Sequence, residues 1–145
     1  MVRTKLSNEM INAEVQGYLD DTNAKVRKVL IALHDAMTEL GCSSYVKTIY
    51  IGYEINGEMT AAAYAHADHV EIALAVADDH PDSRLEDATH LTWRTLPLCL
   101  QLRTATDVKN AAELLREACE RVANRSHDVH RDNDYFVARK RGRRP

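Results

Sequence analysis

Glycine is scarce in this chain, with five among 145 residues. A loop that cradles a nucleotide phosphate needs glycines in close succession, so such a loop is hard to build here. The three cysteines, Cys42, Cys99 and Cys119, are odd in number and far apart. That spacing argues against a disulfide framework or a zinc knuckle. Cys99 and Cys119 fall in apolar patterns and read as small core residues, whereas Cys42, after Gly41, reads as exposed. Aromatic residues make up only 6% of the chain, so the core must be built from Val, Ile, Leu and Ala. No apolar run is long enough to cross a bilayer; Val29-Leu30-Ile31-Ala32-Leu33 is stopped by His34-Asp35. The N-terminal Met1-Val2-Arg3-Thr4-Lys5 leads into polar residues rather than a signal-peptide core. No membrane partner and a cytoplasmic location are therefore expected.

Catalytic signatures are missing as well. There is no Gly-x-Ser-x-Gly, no His-Glu-x-x-His and no Cys-x-x-Cys. Cys42 has no partner histidine assignable from sequence. A binding domain with no catalytic residues and no cofactor is the expectation.

What is present is an uneven charge. Residues 1–124 carry 12 Lys/Arg and 19 Asp/Glu, a net of −7, while residues 125–145 carry 7 and 3, a net of +4. The chain divides into one domain, 1–124, and a polar, basic tail, 125–145.

Periodicity supplies the fold. Ser7 is a candidate N-cap, followed by Ile11, Val15, Tyr18 and Leu19 at helical spacing. Thr22 or Asn23 can cap a second helix, in which Val26, Val29, Leu30, Leu33, Met37 and Leu40 share one face and Gly41 stands at the C′ position. The period then becomes two. Residues 45–55 read as a strand, Asn56-Gly57 as a tight type I′ turn, and residues 59–66 as an alanine-rich return strand. Val70, Ile72, Leu74 and Val76 mark a third strand, residues 84–90 a helical turn, and residues 93–102 a fourth strand, at an edge or bulged around Pro97. Thr106 is a candidate cap for a last helix bearing Val108, Ala112, Leu115, Cys119 and Val122. The expected fold class is α+β: N-terminal helices, a four-stranded antiparallel meander, and a C-terminal helix packed on one sheet face, with the other face open.

Four segments carry a likeness to known proteins. Tyr18-Leu19-Asp20-Asp21 with the helix after it resembles the start of YdhG-like proteins, in the wider frataxin-like, YjbR-like group. The runs Val70-Glu71-Ile72-Ala73-Leu74-Ala75-Val76, Asp82-Ser83-Arg84-Leu85-Glu86 and Thr104-Ala105-Thr106-Asp107-Val108 resemble a bacterial family of unknown function, some of whose members are labelled "predicted transport protein". Together they cover roughly residues 15–123. The resemblance implies an α+β domain of double-wing type. Some relatives are suspected of binding DNA and others of handling iron. It assigns no catalytic residue.

Four candidate sites stand out. Arg139, Lys140, Arg141, Arg143 and Arg144 put five cations in six residues, which attracts nucleic-acid phosphate or serves as a solvated tail. Nearby Tyr135 and Phe136 stack on bases or pin the tail to the domain or to a second subunit, a homodimer being the other expected partner. On the open sheet face, Tyr50, Tyr64, Trp93 and Arg94 form a candidate pocket for a small ligand or a partner protein, or simply a set of cross-strand aromatic pairs. The pairs His66/His69 and His127/His130 have a spacing that suits a shared metal in a helix, but the first spans a turn with no cysteine near it in sequence. Carboxylates at Asp78, Asp79 and Asp82, and on the first two helices, read as surface acids or as hard-cation ligands.

Overall fold

A computed structural model describes residues 14–124. Ser7, Tyr135, Phe136, the His127/His130 pair and the five tail cations lie outside the described residues.

The helix α1 occupies residues 14–20, with Val15 and Leu19 buried. Its successor, α2 (Ala24–Glu39), begins at Asn23, whose side chain accepts the amide of Val26. Val26, Val29, Leu30, Leu33 and Met37 are buried along one face. Gly41 ends the helix at φ 96°, a left-handed conformation in which a Cβ would be strained. The amides of Gly41 and Cys42 turn back to the carbonyls of Thr38 and Met37.

Six strands follow in one sheet: β1 (Ser43–Val46), β2 (Ile51–Ile55), β3 (Glu58–Ala65), β4 (Val70–Leu74), β5 (Glu86–Asp87) and β6 (Leu98–Leu102). Their order is β1-β2-β3-β4-β6-β5, and every neighbouring pair is antiparallel. The sheet is therefore not the expected four-stranded meander: it has six strands, and β5 pairs on the far side of β6 rather than between β4 and β6. The long first strand splits, because Lys47–Tyr50 closes a hairpin that folds β1 back onto β2. Residues 84–90 are not a helical turn, since Glu86 and Asp87 pair with Leu98 and Cys99. Regular pairing of β6 starts only at Leu98: Pro97 has no amide to donate, though its carbonyl accepts from Ala88. Asn56 and Gly57 both take positive φ, as a type I′ turn requires.

Two further helices, α3 (Ala105–Asn110) and α4 (Ala112–Asn124), complete the described chain. The cap of α3 is Thr104, not Thr106, because Thr104 and Asp107 exchange side-chain and backbone hydrogen bonds as a capping box. The helix α4 packs on β2 and β3, and α2 lies against β3 and β4.

Strand register sorts the side chains. Tyr53, Ala61, Ala63, Ile72, Leu74, Leu100 and Leu102 share the helix-covered face. Tyr53 is fully buried there, and its hydroxyl lies 3.0 Å from Nδ1 of His34 on α2. Gly52, Ala62, Tyr64, Glu71, Ala73, Cys99 and Gln101 share the other face. At Gly52 the ring of Tyr45 occupies the place where a Cβ would stand. This second face is not open, as alternation alone suggests. All of β4 and nearly all of β3 are buried on both sides. The segment between β4 and β6 crosses over, joined by Thr92 to Tyr64 and by His90 to Glu71. Cys42 is buried too, its Sγ 3.6 Å from that of Cys119. No helix among the described residues is long and apolar enough to cross a membrane.

Burial lowers the pKa of half-buried His34 from its ordinary 6.5, and the nearby Asp35 carboxylate opposes only part of that. The native state therefore resists a proton that the unfolded chain accepts. Stability should be complete above pH 6.5 and decline as the pH falls through the lowered native value. His34→Gln should flatten that decline, measured by urea unfolding on either side of the ordinary value.

Candidate functional site

The face opposite the helices holds one charged group at its centre. Glu71 lies on β4 between Tyr64 of β3 and Gln101 of β6. It retains only 5% of its accessible surface. An isolated carboxylate so buried would be strongly disfavoured. Four donors meet it instead. His66 Nε2 is 2.9 Å from Oε1, and His90 Nε2 is 2.8 Å from Oε2. Cys99 Sγ donates to Oε2 at 3.3 Å, and Gln101 Nε2 does so at 3.2 Å.

The four donors arrive from three parts of the fold. His66 begins the turn after β3, where its amide bonds the carbonyl of His69 and its ring stacks on His69 with centroids 4.7 Å apart. His69 in turn meets Asp68, which pairs with Arg103. His90 belongs to the crossing segment, set by the turn from Ala88 to Leu91 and by the Asp87 carboxylate accepting from the Thr89 amide. Cys99 and Gln101 are two residues apart on β6 and so point to the same side.

Burial alone would raise the Glu71 pKa, but the bonds from His90, Cys99, His66 and Gln101 outweigh it and hold the carboxyl at about 2. The Cys99 thiol moves the other way. Burial and then the Glu71 carboxylate push it up to about 12, so the sulfur keeps its proton and donates it. Since an ionised carboxylate only accepts, both imidazoles carry their proton on Nε2.

A cavity of about 410 Å³ opens above the cluster. His66, Glu71, His90 and Thr92 form its polar wall, and Ile49, Tyr64 and Leu91 its apolar wall. The histidines are half-exposed, at 43% and 56% of their side chains, while Glu71 forms the floor. Ile49 is 61% exposed at the rim, anchored where its carbonyl accepts from the Tyr18 hydroxyl.

Of the four aromatic-face candidates, Tyr64 lines this cavity. Tyr50 lies behind it, buried, with ring centroids 5.3 Å apart. Trp93 is packed against the core, and Arg94 is exposed. Neither Trp93 nor Arg94 is in the cavity wall; they open a turn in which the Leu96 amide bonds the Trp93 carbonyl. His66 and His69 are not a chelating pair in a helix but stacked rings across a turn, and the cysteine absent nearby in sequence comes to Glu71 through β4–β6 pairing. The acidic turn is tied down as a surface element: Asp82 pairs with Arg84 at 2.7 Å, and His80 with Glu117 at 3.0 Å.

Sequence reasoning passed over Glu71, His90, Cys99 and Gln101. One signal for them existed. Glu71 and Gln101 are the polar residues in two apolar strands, each on the face opposite the leucines and isoleucines. A search with this chain matched no protein-family model, no curated protein and no solved structure.

Glu71→Gln should destabilise the domain by about 1–3 kcal/mol, since the new amide would aim its own donor at a ring of donors left without an acceptor. Urea unfolding of the two proteins measures the difference.

Proposed function

We propose that this protein is a small-ligand-binding domain whose pocket is the cavity above Glu71. The observation that carries the reading is the pairing of an ionised, buried carboxylate with two half-exposed imidazoles in a concave wall. Strongly perturbed titratable groups in a cleft mark functional sites more often than chance. The volume lies within the range of small-molecule pockets, which are largely apolar with a few convergent polar groups. Oε2 of Glu71 already accepts three bonds, so the carboxylate serves to orient the imidazoles. The ligand would meet the ring edges of His66 and His90 and the hydroxyl of Thr92 on one side. Ile49, Tyr64 and Leu91 would take its apolar part. A compact molecule with one polar edge fits this wall.

Ligand-observed NMR with a library of small aromatic heterocycles, amines and carboxylates tests the reading. Binders should be lost in Leu91→Trp, which fills the cavity, and kept in Arg94→Ala. Retention of the same binders in Leu91→Trp would refute it.

A second reading rests on charge. Arg139, Lys140, Arg141, Arg143 and Arg144 give the chain a cationic end opposite in sign to the acidic residues 1–124. Such a segment would contact nucleic-acid phosphates and release counterions. Duplex binding by the full chain should then weaken with salt, and removal of residues 138–145 should abolish it. Equal binding by both forms would take the tail out of the account.

A further inference from the structure

We propose that Glu71, His90 and Cys99 form a mononuclear transition-metal site of the zinc class, with His66 as a further ligand at the mouth of the cavity. The inference rests on the same pocket and names the first species it would take up. One ligand atom from each of Glu71, His90 and Cys99 lies within 4.8 Å of the others. Oxygen, imidazole nitrogen and sulfur together are the donor set of a borderline cation such as Zn²⁺, rather than of calcium or magnesium, which take oxygen.

The distances suit that use. At ordinary zinc bond lengths a tetrahedron sets its ligand atoms about 3.3–3.5 Å apart. Glu71 Oε2 and Cys99 Sγ are 3.3 Å apart, and Oε2 and His90 Nε2 are 2.8 Å apart. His66 Nε2 stands 2.9 Å from the second oxygen. A spreading of about half an ångström converts hydrogen-bonding contacts into coordination edges, within what half-exposed imidazoles can supply by rotation. Cys99 is fully buried at the back, and His90 stands half-exposed at the front, so an ion enters from the cavity.

Protons balance simply. The metal replaces the proton on Cys99 Sγ, which leaves to buffer, and a neutral imidazole shifts its proton from Nε2 to Nδ1. A bond between sulfur and metal forms as the S–H bond breaks, with no change of oxidation state. A hydrogen-bonded network alone does not use every group well. Gln101 Oε1 is buried with no hydrogen-bond partner among the described residues, although its Nε2 donates to Glu71. A half-turn of that amide would offer the oxygen to the cluster. With Glu71, His90 and Cys99 alone as ligands, the fourth position of the tetrahedron would face the pocket, the arrangement of an open site, and coordination by His66 would close it.

Cobalt and zinc ions added separately to the metal-free full chain give the test. Calorimetry should show one ion bound per chain, and cobalt should develop a thiolate charge-transfer band in the near ultraviolet. Cys99→Ser should remove the band, and His90→Ala should weaken binding by about 100-fold or more, beyond what loss of an outer-shell group costs. Circular dichroism confirms that each variant folds. Cys42→Ser should keep the band. A band that survives Cys99→Ser, binding indifferent to His90→Ala, or no binding at all would overturn the assignment. The small-molecule reading is judged apart from this, because Leu91→Trp blocks the cavity while leaving all four ligands in place. Fragment binding to metal-free protein would sustain that reading even if no ion binds.

Discussion

The pairing of β3 with β4, buried on both sides, is the constraint on which the molecule depends. Ala61, Ala62 and Ala63 sit at zero exposure in the middle of β3. Side chains this small keep the sheet thin, so helices approach from one side and the crossing segment from the other. A strand covered on both faces must satisfy whatever polar group it carries by contacts within the protein. Glu71 is that group. Its position on β4 obliges the neighbouring strand, the turn after β3 and the crossing segment each to bring a donor.

This requirement links architecture to chemistry. The helix-covered face is leucine, isoleucine, valine and alanine, with the Tyr53–His34 contact as a polar join to α2. The opposite face is alanine, tyrosine, glutamate, cysteine and glutamine, lidded by a segment with only two residues of strand. The cavity of about 410 Å³ lies on this second face, beside the lid. Tyr64 joins the two functions. Its hydroxyl holds Thr92 of the lid, and its ring forms part of the cavity wall. The zinc-class site proposed for the same floor would use the ligands that already hold the lid down, so occupation of the floor and closure of the lid would be coupled.

The metal and small-molecule readings need not compete. Both begin from a buried carboxylate that gathers imidazoles, and they differ in whether the atom between those groups is a proton or a cation. The charge of residues 125–145 is a separate property, of opposite sign to that of the domain and independent of the cavity.

Local signals in the chain were legible wherever the physics is local. The face of α2, the Asn23 cap, the Gly41 stop and the Asn56-Gly57 turn each follow from residues within a few positions of one another, and each is found. The α+β class and the antiparallel pairing follow from short connections between alternating runs. Pro97 marked the irregular start of β6, whereas the break at Lys47–Tyr50 was not legible, because apolar alternation resumes beyond it and only hydrogen-bond partners distinguish strand from turn. The site was least legible of all. Tyr64 could be placed on the second face by parity, and His66 stood out by its spacing from His69. But Glu71 meets His90 across 19 residues and Cys99 across 28. Sequence by itself decided where the helices and the main strands would lie and which face of each would be apolar, since those depend on neighbours along the chain, though not every boundary between them. Only the tertiary structure decided that β6 lies beside β4 and that the segment between them folds over Glu71, since register and chain crossing are set by partners far away in sequence.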